Sequence, residues 1–344
     1  MAIDAPTLEQ TRRQMEKLLD RIIPTGEIRW KAELVYEINR LKKERGAIIL
    51  GHNYMEPALY HTVADVVGDS LELSRKAAET TANPIIFCGV RFMAETAKIL
   101  NPAKTVLLPA KEAGCSLASS ITPEDVRGLR ERYPGIPVVA YVNTYAAVKA
   151  EVDLCCTSGN AANVVRSLES EAIIFIPDEY LTKNVAAETG RTIIQAGEDL
   201  PPGVPVLISW PGRCEVHEQF TPGDVERVRD QFPDALVLSH PECSPEVVAA
   251  SDFAGSTSRM ISYVRSSSRR RFVLLTECSM GDNIAAEARD KEMVGLCSIR
   301  CPHMNQITLE DTVRALRENV TEIDVPEEIL ERAKLSLDRM IAIS

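Results

Sequence analysis

The feature that most restricts what this chain can fold into is a threefold internal repeat. Thr122-Pro123-Glu124-Asp125-Val126, Thr221-Pro222-Gly223-Asp224-Val225 and Thr308-Leu309-Glu310-Asp311-Thr312 read as three copies of one helix start. In each, a Thr N-cap and an acidic residue at the third helical position suit free N–H groups and the positive end of the helix dipole, and two copies add Pro at the first position. Seven residues before each Thr stands a cysteine, Cys115, Cys214 or Cys301, so both series are spaced by 99 and then 87 residues.

The rest of each unit follows the same order. Short apolar runs at 47–50, 137–141 and 235–238 predict strands, each after a helical stretch, and they end in His52-Asn53-Tyr54, Tyr141-Val142-Asn143 and His240-Pro241-Glu242. Asp69-Ser70-Leu71, Thr157-Ser158-Gly159-Asn160 and Gly255-Ser256-Thr257-Ser258 then read as helix N-termini. Strands are expected again at 84–87, 172–176 and 272–275, and last short apolar segments at 105–108, 204–208 and 292–296 lead to the three cysteines. Alternating strands and helices predict an α/β fold of three αβα units with short parallel sheets, related by pseudo-threefold symmetry. Ligands of such units sit outside the carboxyl ends of the strands, so the active site is expected at the central junction. The expected division is a helical extension over 1–24, units over 25–121, 122–220 and 221–307, and a helical tail over 308–344.

Composition narrows the setting. Of 344 residues, 45% are hydrophobic and 26% charged, which describes a folded soluble protein. Met1 to Arg13 lacks an apolar signal region, and no run approaches the 18 or so apolar residues of a membrane span, so a cytoplasmic protein with no membrane partner is expected. A net charge of −11 argues against nucleic acid, and Arg269 to Arg271 reads as a solvated helix end. Nine cysteines in a reducing compartment suggest metal or catalysis, yet no paired CxxC motifs occur, so a metal site must gather cysteines from afar. On a pseudo-threefold axis, Cys115, Cys214 and Cys301 would offer three thiolates and leave a fourth position open. Spacing alone permits either an iron-sulfur cluster or a catalytic zinc.

Gly51-His52-Asn53-Tyr54, Asp69-Ser70-Leu71-Glu72-Leu73-Ser74, Ala113-Gly114-Cys115-Ser116, Tyr141-Val142-Asn143-Thr144, Cys156-Thr157-Ser158-Gly159-Asn160-Ala161, His240-Pro241-Glu242-Cys243 and Cys301-Pro302-His303-Met304 together resemble the quinolinate synthase family, from about Ile28 to the C-terminus. The resemblance implies a triangular three-domain enzyme that condenses iminoaspartate with dihydroxyacetone phosphate to give quinolinate, phosphate and water, early in NAD biosynthesis. It implies one 4Fe-4S cluster per chain, held by Cys115, Cys214 and Cys301, with an open iron acting as Lewis acid. An enzyme supplying iminoaspartate is the protein partner it suggests.

By motif, the family's substrate contacts fall on His52, Tyr54, Ser70, Tyr141, Asn143, Ser158, His240, Glu242 and Thr257. Ser70, Ser158 and Thr257 at helix starts suit carboxylates and phosphate, or serve only as N-caps. His240 and Glu242 form the leading acid/base pair, or a structural hydrogen-bonded one. His52 and Tyr54 can bind or relay a proton, while Tyr141 and Asn143 orient carboxylates. His61, His217 and His303 are weaker candidates with supporting or surface roles. Cys88, Cys155, Cys156, Cys243 and Cys278 read as small buried residues. Cys297 stands four residues before Cys301, where many members of the family carry a three-cysteine run, so a redox switch of that kind is not expected to transfer. Two other readings remain at this point, a zinc-dependent lyase or aldolase acting on a phosphorylated triose and a non-catalytic iron-sulfur sensor.

Overall fold

Near-continuous apolar runs such as Ile48-Ile49-Leu50, Ile85-Ile86-Phe87 and Ile173-Ile174-Phe175 have no polar face to turn to water, and such strands are stable only between covering helices in parallel sheets. The computed structural model, which describes residues 2–295 and 299–343, contains three such sheets. The first holds β1 (Ile48–His52), β2 (Val66–Gly68), β3 (Ile85–Cys88) and β4 (Val106–Leu107) in the order β2-β1-β3-β4. The second holds β5 (Val138–Tyr141), β6 (Leu154–Cys156), β7 (Ala172–Ile176), β8 (Thr192–Gln195) and β9 (Val206–Ser209) in the order β6-β5-β7-β9-β8. The third holds β10 (Leu236–Ser239), β11 (Phe253–Ala254), β12 (Arg271–Leu275) and β13 (Glu292–Met293) in the order β11-β10-β12-β13. Every pairing is parallel, and the order repeats apart from the extra edge strand β8. The protein is thus an α/β fold of three αβα units.

Apart from the last segment, the expected strands appear within one or two residues of their places. Four were not foreseen: β2, β6, β11 and β8. The first three have only two or three residues, too few for any periodicity. What pins them is a repeated aspartate. Asp65, Asp153 and Asp252 each accept, through Oδ2, the first-strand N–H of Ile49, Val138 and Val237 at 2.8 Å. Each also pairs with a cation from the preceding helix: Lys42 at 2.7 Å, Arg130 at 2.9 Å and Arg229 at 3.2 Å. Residues 292–296 yield only the two-residue β13, and Leu296 and Cys297 lie outside the described residues.

The repeated helix starts form as expected. Thr122 N–H donates to Asp125 Oδ2 (2.8 Å), and Asp125 N–H returns to Thr122 Oγ1 (3.2 Å). Thr221 N–H donates to Asp224 Oδ2 (2.7 Å), and Asp311 N–H donates to Thr308 Oγ1 (3.1 Å). Arg271 departs from the expected solvated helix end, because it opens β12 and pairs with Asp234 and Glu292. Helices Leu8–Leu19 and Glu327–Ala342 occupy the two ends of the chain. The latter packs on β6 and on helices Arg91–Leu100 and Ala146–Lys149. Among the described residues, no helix is long and apolar enough to cross a membrane.

Candidate active site

Strands end where their apolar runs meet polar residues, and here those ends converge. His52 closes β1, Tyr141 closes β5, and His240 and Glu242 follow β10. Ser70, Ser158 and Thr257 follow β2, β6 and β11, the short strands absent from the sequence reading. All of these, with Tyr54, Asn143, Cys115, Cys214 and Cys301, line one cavity.

The three cysteines sit in three copies of one local structure. Each is followed by a short 3-10 turn, Ala118–Ser120, His217–Gln219 or Met304–Gln306. The sulfur receives backbone N–H groups from two and three residues ahead: Leu117 and Ala118 at Cys115, Val216 and His217 at Cys214, His303 and Met304 at Cys301. Paired N–H groups aimed at one atom favour negative charge there. Burial opposes it, pushing the Cys115 thiol up to about 12, Cys301 up to about 11 and Cys214 well above its usual range. A bound cation would tip the balance, since metal-ligating cysteines are thiolates. All three are free thiols, and this donor set fits a soft metal or iron-sulfur group. Cys88, Cys155, Cys156 and Cys243 are free and buried in the core, as expected, whereas Cys278 is held in a disulfide.

Cross-links hold the cysteine loops in mutual register. Tyr145 Oη accepts the Cys115 N–H (3.3 Å), and its ring lies 5.6 Å beneath the Arg91 guanidinium. Glu215 meets His303 Nε2 at 3.0 Å, tying the loop of the second cysteine to that of the third. Gly212 permits close approach, because a Cβ there would fall 2.4 Å from Ser120 Oγ and 2.5 Å from the Pro177 carbonyl.

Two histidines are oriented by the same device. Tyr54 N–H donates to His52 Nδ1 (3.2 Å) and Glu242 N–H donates to His240 Nδ1 (3.3 Å), which leaves the ring proton on Nε2 in both. Burial holds His52 down to about 4 and His240 down to about 3, so both rings are neutral donors at pH 7. Ser158 Oγ lies 3.3 Å from His240 Nε2. Burial would raise Glu242, but the hydrogen bonds that it accepts from His217 and the Tyr141 hydroxyl, with the facing His240 and His217 rings, outweigh it and lower the carboxyl below its usual range, so it is ionised. The phenols of Tyr54 and Tyr141 are pushed well above 10, first by burial and then by Glu242, and stay protonated.

The direct imidazole partner of Glu242 is His217, not His240. His217 Nδ1 lies 2.7 Å from Glu242 Oε2, whereas His240 Nδ1 is 3.9 Å away. His217 also stacks on His240 with ring centres 4.6 Å apart, and its Nε2 meets Thr276 Oγ1 at 2.9 Å. Thr276 Oγ1 in turn lies 2.5 Å from Tyr54 Oη. Sequence reading had given His217 a lesser role, although its Cys-x-x-His spacing from Cys214 was a usable signal. The caps of the anion-facing helices also differ from expectation. Asp69 and Ser256 cap them, which places Ser70 and Thr257 at the first helical position, and Ser158 stands two residues before Asn160.

The model of a family described as quinolinate synthetase A protein matches residues 36–342. Curated relatives agree. Quinolinate synthase 2 of Mesorhizobium japonicum is 50% identical over 327 residues, covering 94% of this chain and 96% of that protein. Quinolinate synthase of Xylella fastidiosa is 53% identical over 311 residues (90% and 86%), and that of Agrobacterium fabrum 52% over 323 residues (94% and 89%). The chain belongs to the quinolinate synthetase A family. It is therefore an enzyme. In this family member the cavity combines one ionised carboxylate, neutral imidazole and phenol donors, and three thiols that could hold a metal group.

Proposed function

We propose that the chain is a quinolinate synthase of NAD biosynthesis, condensing iminoaspartate with dihydroxyacetone phosphate to quinolinate, phosphate and water in the cytoplasm. The observation that carries this reading is the convergence of three repeat-equivalent cysteines with nine polar strand-end and helix-start residues on one cavity. The proposed units are 25–121, 122–220 and 221–307, flanked by 1–24 and 308–344. Iminoaspartate would come from a separate enzyme.

Cys115, Cys214 and Cys301 would hold one 4Fe-4S cluster, which supplies a Lewis-acidic iron for removal of a hydroxyl. The other roles belong to the chain itself. Both substrates are anions, and the cavity offers donors for them: His52 and His240 through Nε2–H, the hydroxyls of Ser70, Ser158 and Thr257, and N–H groups at helix starts. Asn143 Oδ1 is buried without a partner among the described residues and suits a ligand donor. Glu242 is the proton acceptor, because it is the ionised group among these donors and its Oε1 and Oε2 are held by Tyr141 and His217. Tyr54, chained to His217 through Thr276, is placed to relay a proton.

Anaerobic purification with iron, sulfide, zinc and quinolinate measured together tests the reading. About four irons and four sulfides per chain with quinolinate formation are expected. Tightly held zinc without sulfide and without quinolinate would overturn it.

A further inference from the structure

The cavity floor contains a second donor set that overlaps the cysteine triad at one residue. Cys214 Sγ, His217 and Glu242 present ligand atoms that all lie within 4.8 Å of one another, and His217 and Glu242 are buried. His217 Nδ1 is 3.2 Å from Cys214 Sγ and 2.7 Å from Glu242 Oε2. Zinc ligated at about 2.0–2.3 Å in a tetrahedron sets neighbouring donor atoms roughly 3.3–3.8 Å apart, so the two distances from His217 Nδ1 need to open by only a fraction of an ångström to about 1 Å.

The outer side of the set is already built. Metal-ligating imidazoles carry a hydrogen bond on the nitrogen that faces away from the ion, and ligating carboxylates are hydrogen-bonded as well. Here Thr276 Oγ1 stands 2.9 Å from His217 Nε2. Glu242 Oε1 accepts from the Tyr141 hydroxyl and from Asn143 Nδ2 (3.4 Å), which leaves Oε2 turned toward His217. Backbone N–H groups of Val216 and His217 are aimed at the Cys214 sulfur and hold it in place. Sulfur, imidazole nitrogen and carboxylate oxygen together select a thiophilic divalent ion over magnesium or calcium.

We propose that the chain, when it holds no cluster, binds one zinc ion at Cys214 Sγ, His217 Nδ1 and Glu242 Oε2, with the fourth position left to solvent. Binding releases the Cys214 thiol proton and moves the His217 proton from Nδ1, where it faces Glu242 Oε2, to Nε2, where it is directed at Thr276 Oγ1, so the ligating ring is neutral. Because Cys214 belongs to both sets, zinc here and a cluster on Cys115, Cys214 and Cys301 exclude each other, and zinc arriving first obstructs cluster assembly. The zinc site shares only Cys214 with the cluster reading, and its test contains no iron, so either can fail alone.

The test uses full-length protein freed of iron under anaerobic conditions. Cobalt(II) serves as the optical probe, and zinc affinity is measured by competition with a chromophoric chelator. One ion per chain is expected, with a thiolate-to-cobalt band that is lost in Cys214→Ser and kept in Cys115→Ser and Cys301→Ser. Thr276→Val should weaken zinc about 10–100-fold by removing the partner of Nε2, and His217→Ala by at least as much. Circular dichroism checks the fold of each variant, and Thr276→Val decides the matter where His217→Ala does not fold. Loss of the band in Cys115→Ser would place the ion on the three cysteines and overturn the proposal. So would zinc affinity unchanged in the folded variants of both His217 and Thr276.

Discussion

The Tyr141 hydroxyl, at the end of the second unit's β5, donates to Oε1 of Glu242, which follows β10 in the third unit. A hydrogen bond to an ionised carboxylate is worth more than a neutral one, and burial on both sides strengthens it further. The contact joins two units at the atom expected to accept a proton. Replacing Glu242 by Gln keeps the shape and removes the charge. Turnover should fall by roughly two to four orders of magnitude while iron and sulfide content stays at the parent level. Near-parental quinolinate formation would remove Glu242 from the chemistry.

The three sulfur nests predict which thiols matter. Cys115→Ser, Cys214→Ser and Cys301→Ser should each lose the iron-sulfur chromophore, because a three-ligand site has no spare thiolate. Ser at Cys88, Cys155, Cys156 or Cys243 buries a hydroxyl at a cost of about 1–3 kcal/mol and should leave iron content unchanged. Iron and sulfide assays on anaerobically purified variants distinguish the groups. A folded Cys115→Ser chain with a full cluster would contradict the assignment.

Lys149 is fully buried, and its ammonium donates to the carbonyls of Val142 (2.8 Å) and Thr144, the two residues flanking Asn143. Burial pulls its pKa down to about 8, which leaves it charged at pH 7. Lys149→Met strands two buried carbonyls, so a loss of about 2–4 kcal/mol in urea unfolding is expected. Loosening of the Asn143 loop should also raise KM. Unchanged stability would show that the loop holds itself.

His61, buried on helix Pro57–Thr62, is pulled down to about 4 by burial. The unfolded chain, with a histidine pKa near 6.5, binds the extra proton between about pH 4 and 6.5 while the native state does not. Stability therefore rises with pH across that window and falls as the solution is acidified from pH 7. At pH 5.5 this amounts to on the order of 1 kcal/mol for His61. His61→Gln should flatten the fall in unfolding free energy between pH 7 and 5.5 by about that much. An identical slope in variant and parent would assign the acid sensitivity elsewhere.

Within the sequence alone, the repeat of Thr122, Thr221 and Thr308 with its three cysteines determined the unit order, the parallel sheets and the strand ends at which functional residues stand. Those features are local: capping chemistry and unbroken apolar runs act over a few residues and are legible wherever they occur. Tertiary structure decided the rest. The short strands β2, β6 and β11 are set by their parallel pairing with a neighbouring strand and by Asp65, Asp153 and Asp252, which fasten them to it, and no two- or three-residue segment carries that information itself. The same is true of His217. Its spacing from Cys214 was visible, but its place between that sulfur, Glu242 and Thr276 depends on the second and third units packing together. A buried polar side chain takes whatever partner the packing brings within reach, and for His217 those partners stand 25 and 59 residues further along the chain.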